Sequence, residues 1–275
     1  MTFSISRRGL AGIAAGASTA AGFLVKSAEA DTLDETLKNN VIRVGINPNS
    51  PPFSSRDSSG AWVGFDIDIA NLLAKELKIE KVEFVPTNTD QRVPFLVANT
   101  IDVSLGGLTR NSERAKLIEY THPLHSEVMG VLTTDKVSIS TYQDLNDAKY
   151  TLADVRGSWT IDFIKENLPK AKLEVVDNNA DVVRTVAQGR ADAIVEMLDF
   201  FTAFTKDHTD VKWQILPNKI DVGWDGLGVQ KGNYALRDCL NIALYKLHSN
   251  GTVVDTWKKA FGSEPLEKVP AQPYF

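Results

Sequence analysis

Short apolar runs of strand length alternate with segments of helical spacing along most of this chain, and they do so in two rounds. In the first, Val41–Ile46 reads as a buried strand. It leads into a Pro-rich turn (Pro48, Pro51, Pro52) that ends at Phe53, and Asp57-Ser58-Ser59-Gly60 reads as a hairpin-like turn. Phe65, Ile69, Leu72, Leu73 and Leu77 recur at the spacing of one helix face, which predicts an amphipathic helix from Asp66 to Leu77. A strand from Lys81 to Val85, a short helix from Val93 to Val97 and a strand from Ile101 to Leu105 follow. Asn111 is placed to cap a helix running to about Ile118. After an extended apolar stretch at Met129–Thr133 and a Thr141-x-x-Asp144 capping box, the second round begins. It reads as strand Tyr150–Val155, helix Thr160–Asn167, strand Leu173–Val176, helix Ala180–Gln188 and strand Ala191–Glu196. The tail returns to helix over Tyr234–His248, stops at Ser249-Asn250-Gly251, and resumes at Val253, Val254 and Trp257. Such alternation covers a sheet with helices and indicates the α/β class. Two rounds of roughly 100 residues each predict two lobes.

The first thirty residues stand outside this pattern. Arg7 and Arg8 precede a soft Ala/Gly-rich stretch, Gly9 to Val25, and Ala28-Glu29-Ala30 has the small-x-small form of a cleavage site. This predicts an export signal, residues 1–30, cleaved after Ala30. The pair in Ser6-Arg7-Arg8-Gly9-Leu10 and the later Lys26 suit the twin-arginine route. The formal net charge of −5 becomes more negative once this basic leader is removed. An acidic surplus argues against nucleic acid as a partner. Cys239, the single cysteine, excludes an intrachain disulfide and sits among Leu236, Leu240, Ala243 and Leu244 as an expected core residue. Four scattered histidines give no metal-ligand pattern, and no cofactor is expected. A monomer in the periplasm is the expected state.

Two strand-to-helix turns can carry binding. Gly106-Gly107-Leu108-Thr109-Arg110-Asn111-Ser112-Glu113-Arg114 presents free backbone N–H groups, glycines that permit close approach, and an arginine fork suited to a carboxylate. Read alone, it is equally a capped helix start with a surface arginine. Arg156-Gly157-Ser158-Trp159-Thr160 is the second such turn. Arg92, in Thr89-Asp90-Gln91-Arg92-Val93-Pro94, either reaches a ligand or pairs with Asp90 or Glu83.

The order and spacing of VIRVGINPNSPPF, GAWVGFDIDIANLLAKEL, QRVPFLVANTIDVSLGGLTRNSERAKLIEYTHPL, RGSWTIDF, QGRADAIVEML, GLGVQKGNYALRDCLNIALYKLHSNG and WKKAFG resemble the periplasmic amino-acid-binding proteins that feed ABC importers. The resemblance runs over nearly the whole chain after the leader. It implies a two-lobed periplasmic-binding-protein fold of type II, each lobe a mixed sheet flanked by helices, joined by a two-strand hinge. Lobe one would be 31–127 plus 226–275 and lobe two 132–222. The crossings would lie near Glu127–Thr133 and Val222–Val229. The implied function is capture of a small carboxylate-bearing solute, an amino acid or a close relative, for an inner-membrane ABC permease.

In that family the residues matching Thr109 and Arg114 bind the ligand's α-carboxylate, with Gly107 in the same turn. Thr89 matches a ligand-facing position, and in acidic-amino-acid binders an arginine at the place of Arg92 reaches the ligand side chain. Ser158 keeps a hydroxyl where relatives have one. Trp159 replaces a second hydroxyl and either stacks on the ligand or fills the interface between lobes. Two positions depart from the pattern. Ser50 stands where relatives carry an aromatic, and Met197 where they carry the aspartate that pairs with the α-ammonium. An unpaired buried ammonium is costly. Glu196, Asp199 or another carboxylate takes that role, or the ligand lacks a free α-amino group. A few proteins of this fold are prephenate (cyclohexadienyl) dehydratases, and for that alternative Glu196 is the candidate acid–base group. A ligand-sensing module that docks on a membrane receptor is the other alternative.

Overall fold

The computed structural model describes residues 32–270 apart from 200, 202–204, 206 and 207. The expected export signal lies outside the described residues. After helix α1 (Thr32–Asn39), strand β1 (Val41–Ile46) begins where β-branched residues begin. The hairpin-like turn joins β2 (Ser55–Arg56) to β3 (Trp62–Val63), and Asp57 closes it by accepting from the N–H groups of Ser59 and Ala61. Helix α2 (Phe65–Glu76), β4 (Lys81–Pro86), α3 (Arg92–Val97) and β5 (Val103–Ser104) complete the first round. The helix behind Asn111 is shorter than expected. Asn111 Oδ1 accepts from Arg114 N at 2.8 Å, but α4 covers only Ser112–Ala115, because Ile118 already opens a buried strand. That strand, β6, runs from Ile118 to Thr134 and absorbs the predicted apolar stretch.

The second round contains a short 3-10 turn at Tyr142–Leu145 with the expected Thr141/Asp144 capping box. Then come β7 (Thr151–Val155), α5 (Thr160–Asn167), β8 (Lys172–Val176), α6 (Asn179–Ala187), β9 (Ala193–Met197), β10 (Trp213–Ile215) and β11 (Asp221–Gln230). Two helices close the chain, α7 (Tyr234–Ser249) and α8 (Thr252–Phe261), separated by Gly251 at φ 81°.

Apart from β2 and β3, which pair only with each other, the described strands form one sheet in the order β4-β1-β5-β11-β6-β9-β7-β8, with β10 beside β6. β1 is parallel to β4 and β5, and β7 is parallel to β8 and β9. The antiparallel pair β6/β11 joins these two parallel groups. Along β6 the partner is β11 from Ile118 to Met129, then β9 from Met129 to Thr133. Both segments expected to cross between lobes lie on this pair.

Period 3.6 puts Phe65, Ile69 and Leu73 of α2 and Leu236, Leu240, Leu244 and Leu247 of α7 into the core. In α8, Trp257 stacks on Phe261 with ring centroids 4.0 Å apart and meets Phe53, Phe65 and His125 edge-on or tilted. Phe65 and Phe53 are therefore both core residues, while Trp62 is half-buried under the Arg56 guanidinium. Cys239 lies on the flank of α7 and is only half-buried, which corrects its expected core position.

Candidate functional site

A cavity of about 460 Å³, counting the part open to solvent, lies between the two parallel groups of strands. Ser50, Phe53, Thr89, Arg92, Gly107 and Glu127 line one side. Ser158, Trp159, Asn179, Glu196 and Met197 line the other. The turn after β5 shapes the first wall. Gly106 and Gly107 have φ 85° and 67°, the left-handed region that a side chain disfavours. This backbone aims both carbonyls at Arg92. Arg92 Nη1 donates to Gly106 O at 2.6 Å and to Gly107 O, and Nε donates to Thr89 O at 2.9 Å.

Arg92 is 3% exposed, and neither sequence alternative, Asp90 nor Glu83, pairs with it. Its Nη2 donates to no described residue. Burial, and then repulsion from Arg114, push its pKa down to about 10, so the guanidinium stays charged at neutral pH. An arginine fixed by three carbonyls, with donors left over at a cavity wall, is suited to receive a carboxylate.

Thr109 and Arg114 lie outside the cavity lining in this arrangement. Thr109 Oγ1 donates to Glu127 Oε2 at 2.6 Å. Its carbonyl accepts from Arg114 Nη1 at 2.9 Å and from the Tyr120 hydroxyl at 3.1 Å. Arg114 Nη2 donates at 2.8 Å to Gly157 O, in the turn after β7. Arg114 thus ties the two sides together. Asn179 Nδ2, donating to Ser50 Oγ at 2.9 Å, is a second tie. Removing the first with Arg114→Ala is expected to weaken solute binding by about 1.5–3 kcal/mol, the value of a hydrogen bond from a charged group. Isothermal calorimetry reads this; an affinity unchanged from wild type would remove the tie from the bound state.

On the second wall, Ser158 Oγ is 2.6 Å from Thr160 Oγ1 and donates to Glu196 Oε2 at 3.1 Å. Glu196 Oε1 accepts from Met197 N at 3.0 Å. Strand alternation placed Glu196 and Met197 on opposite faces. Both border the cavity because it wraps the end of β9, where Met197 is the last residue. Asp199 is directed elsewhere, toward Leu266 N and Lys219, and burial raises its pKa to about 6. Of the two roles left open for Trp159, the structure shows the contact across the interface. Its ring walls the cavity and also covers Gly223 so closely that a Cβ there would lie 3.1 Å from the ring. Its Nε1–H is buried without a partner among the described residues.

Sequence reasoning missed Glu127, Asp225 and His125 as site residues, although an acid inside an apolar strand was a signal for the first. His125 and Asp225 are paired across β6 and β11, beside a register shift at Gly226. Burial, then repulsion by Asp225, raise the Glu127 pKa to about 8; burial raises Asp225 to about 7. Glu196 is raised to about 7 by burial and then by Glu127, and Asp154 is also raised by burial and by Glu196.

Known proteins similar to this chain include both transport-binding proteins and an enzyme. The family described as bacterial extracellular solute-binding proteins, family 3, matches residues 42–263. The ABC transporter glutamine-binding protein GlnH of Bacillus subtilis is 26% identical over 257 residues, 92% of this chain and 93% of the relative. Cyclohexadienyl dehydratase of Pseudomonas aeruginosa is 26% identical over 170 residues, 61% of this chain and 63% of the enzyme. Among solved structures, an ancestral amino acid-binding protein described as a precursor of cyclohexadienyl dehydratase superposes with a TM-score of 0.77 at 33% identity. That match covers 84% of this chain and 100% of the other.

Proposed function

The chain belongs to the family 3 bacterial extracellular solute-binding proteins, and from that premise we propose that it captures a small carboxylate-bearing solute, an amino acid or close relative, for an inner-membrane ABC permease. The family relationship carries the two-lobed α/β fold and the solute-binding function of an amino-acid importer. The single observation behind the ligand class is Arg92, a buried guanidinium with unspent donors at the wall of the cavity between the lobes. In this reading residues 31–127 plus 226–275 form lobe one, 132–222 form lobe two, and the β6/β11 pair is the hinge. The solute enters an open cleft, and closure brings Ser158, Trp159 and Asn179 over it. The protein acts as a monomer in the periplasm after cleavage behind Ala30.

A second reading, dehydration of a prephenate-like acid, is favoured by one observation. Glu196 borders the cavity with its pKa raised to about 7, suited to acid–base work. One experiment separates the two. The chain from Asp31 onward is melted with a panel of amino acids, opines, small dicarboxylates, polyamines, prephenate and arogenate. Transport binding predicts that at least one amino acid raises the melting temperature, by mass action on the folded state. Conversion of prephenate or arogenate that disappears in Glu196→Gln would establish the enzyme instead.

A further inference from the structure

The cavity has two electrical ends. At one end stands Arg92. At the other stand Glu127, 6% exposed, and Glu196, which approaches from the opposite side. Among the described residues neither glutamate forms an ion pair with lysine or arginine. Glu127 Oε2 is satisfied by the Thr109 hydroxyl, and Glu196 by the hydroxyls of Ser158 and Thr160 and by Met197 N. A Cβ on Gly107 would sit 3.3 Å from Glu127 Oε1 and 3.9 Å from Arg92 Nη1, so this glycine separates the two ends.

Behind Glu127 is Asp225, buried, with no hydroxyl, amide or cationic donor on either oxygen among the described residues, and with the Glu127 carboxyl as its side-chain hydrogen-bond partner. His125 Nε2 is 3.2 Å from Asp225 Oδ2, and its Nδ1 is 3.1 Å from Ser126 O. A carbonyl only accepts, so Nδ1 carries the proton of the neutral ring and Nε2 is bare. Burial favours that neutral ring. A proton between His125 and Asp225 therefore comes from the carboxyl. Arg92 and Arg114 are the cations that act on Asp225, and even beside them burial keeps Asp225 and Glu127 above ordinary carboxyls, so the pair does not fully ionise.

We infer that a cationic group of the solute is held between Glu127 and Glu196, in place of the missing aspartate at Met197, and that its arrival releases to water a proton stored in this carboxyl cluster. The inference deepens the solute-binding reading and rests on it. It names the ligand class as one carrying both a carboxylate, for Arg92, and an ammonium or guanidinium, for the glutamates.

The charged groups acting on Glu127 are Asp225 on β11, His125 on β6, Arg92 on α3 and Glu196 on β9, and Asp225 is acted on in turn by Arg92, by Arg114 on α4, by Asp66 on α2 and by Tyr120 on β6. Glu196 is faced in addition by Asp154 on β7. Glu127, Glu196, Asp225 and Asp66 all titrate above ordinary carboxyls, near 7 to 8. The folded chain therefore holds more protons than the unfolded chain between about pH 4 and pH 8. Stability without ligand falls as pH rises through that window, whereas affinity for a cation rises.

The test is calorimetry of L-arginine and L-glutamine, and of their counterparts lacking the α-amino group, at about pH 6 and about pH 8.5, in buffers of unlike ionisation enthalpy. The expected result is affinity for an amino acid that climbs by up to about tenfold per pH unit below the cluster's titration, with buffer-dependent heat that reports proton release. Glu127→Gln should flatten both, and its fold is checked by its ligand-free melt, which should fall less with rising pH than wild type. Glu196→Gln is the second variant, with the same expected loss. Equal binding of L-glutamine and its des-amino counterpart, which has no cationic group, or wild-type pH dependence in both variants, overturns the inference and leaves solute binding standing. No binding by any of the four compounds at either pH, with no hit in the wider panel, overturns both.

Discussion

Arg92→Ala is expected to abolish most solute binding and to lower the melting temperature of the ligand-free chain as well. The binding loss follows from leaving a ligand carboxylate in a desolvated site without its cation, about 2–5 kcal/mol. The stability loss has a separate origin. Arg92 is the donor to the carbonyls of Thr89, Gly106 and Gly107, and two of those belong to glycines in a left-handed turn. Without it the turn loses the tether that holds it in this conformation. Asp225 also loses a nearby positive charge that holds its pKa down, so the ligand-free protein should take up further protons near neutral pH. Arg92→Lys is the informative companion. An ammonium retains the charge but cannot bridge three carbonyls and still present a planar pair of donors. Calorimetry and thermal melts on both variants read the two effects separately. Wild-type affinity in Arg92→Ala would move the carboxylate to another group.

Gly157→Ala acts through closure. Gly157 has φ 81°, and a Cβ there would lie 2.8 Å from Asp90 Cα and 2.9 Å from Asp90 N. Backbone atoms at that distance do not yield as the end of a flexible side chain does. On the hinge proposed above, the turn after β7 meets the turn before α3 only on closure, so the collision would oppose the shut state alone. The left-handed strain itself costs roughly 1 kcal/mol in the folded chain. The effect on affinity should be much larger, about a hundredfold, because the binding-competent form becomes a small fraction of the population. Small-angle scattering should then show no contraction on addition of a solute that contracts the wild type. Contraction and affinity equal to wild type would place this contact outside the closure.

Most of the architecture was legible because local pattern and tertiary burial agree. β1 and α5 have the expected bounds, α2 and α6 are shifted by one residue at both ends, and α7 runs one residue further. The helix after Asn111 was overextended because Ile118 fits either a helix face or a buried strand, and only its pairing with Gln230 decides between them. The turn containing Gly106, Gly107, Thr109 and Arg114 was legible as a binding turn. Which arginine faces the cavity was not, since that depends on where the Gly106 and Gly107 carbonyls point. Glu127 was hidden for another reason. It lies within β6, and its neighbours Asp225 and His125 are brought to it by a strand pairing that no local spacing reveals.

That pairing has a consequence for synthesis on the ribosome. β5 is two residues long, and its second neighbour, through Val103–Val229 and Ser104–Gly228, is β11. The emerging chain makes β4, β1 and β5 first, yet their sheet stays open along that edge until β11 has been translated. β6 meanwhile reaches β9 and can assemble the later-made group of strands sooner than the earlier-made one is finished. A nascent chain of this topology is exposed to wrong pairings for most of its synthesis, because contacts distant in sequence form last. The strand pair that sets the acid cluster beside the solute also makes the first-made half of the molecule the last to be completed.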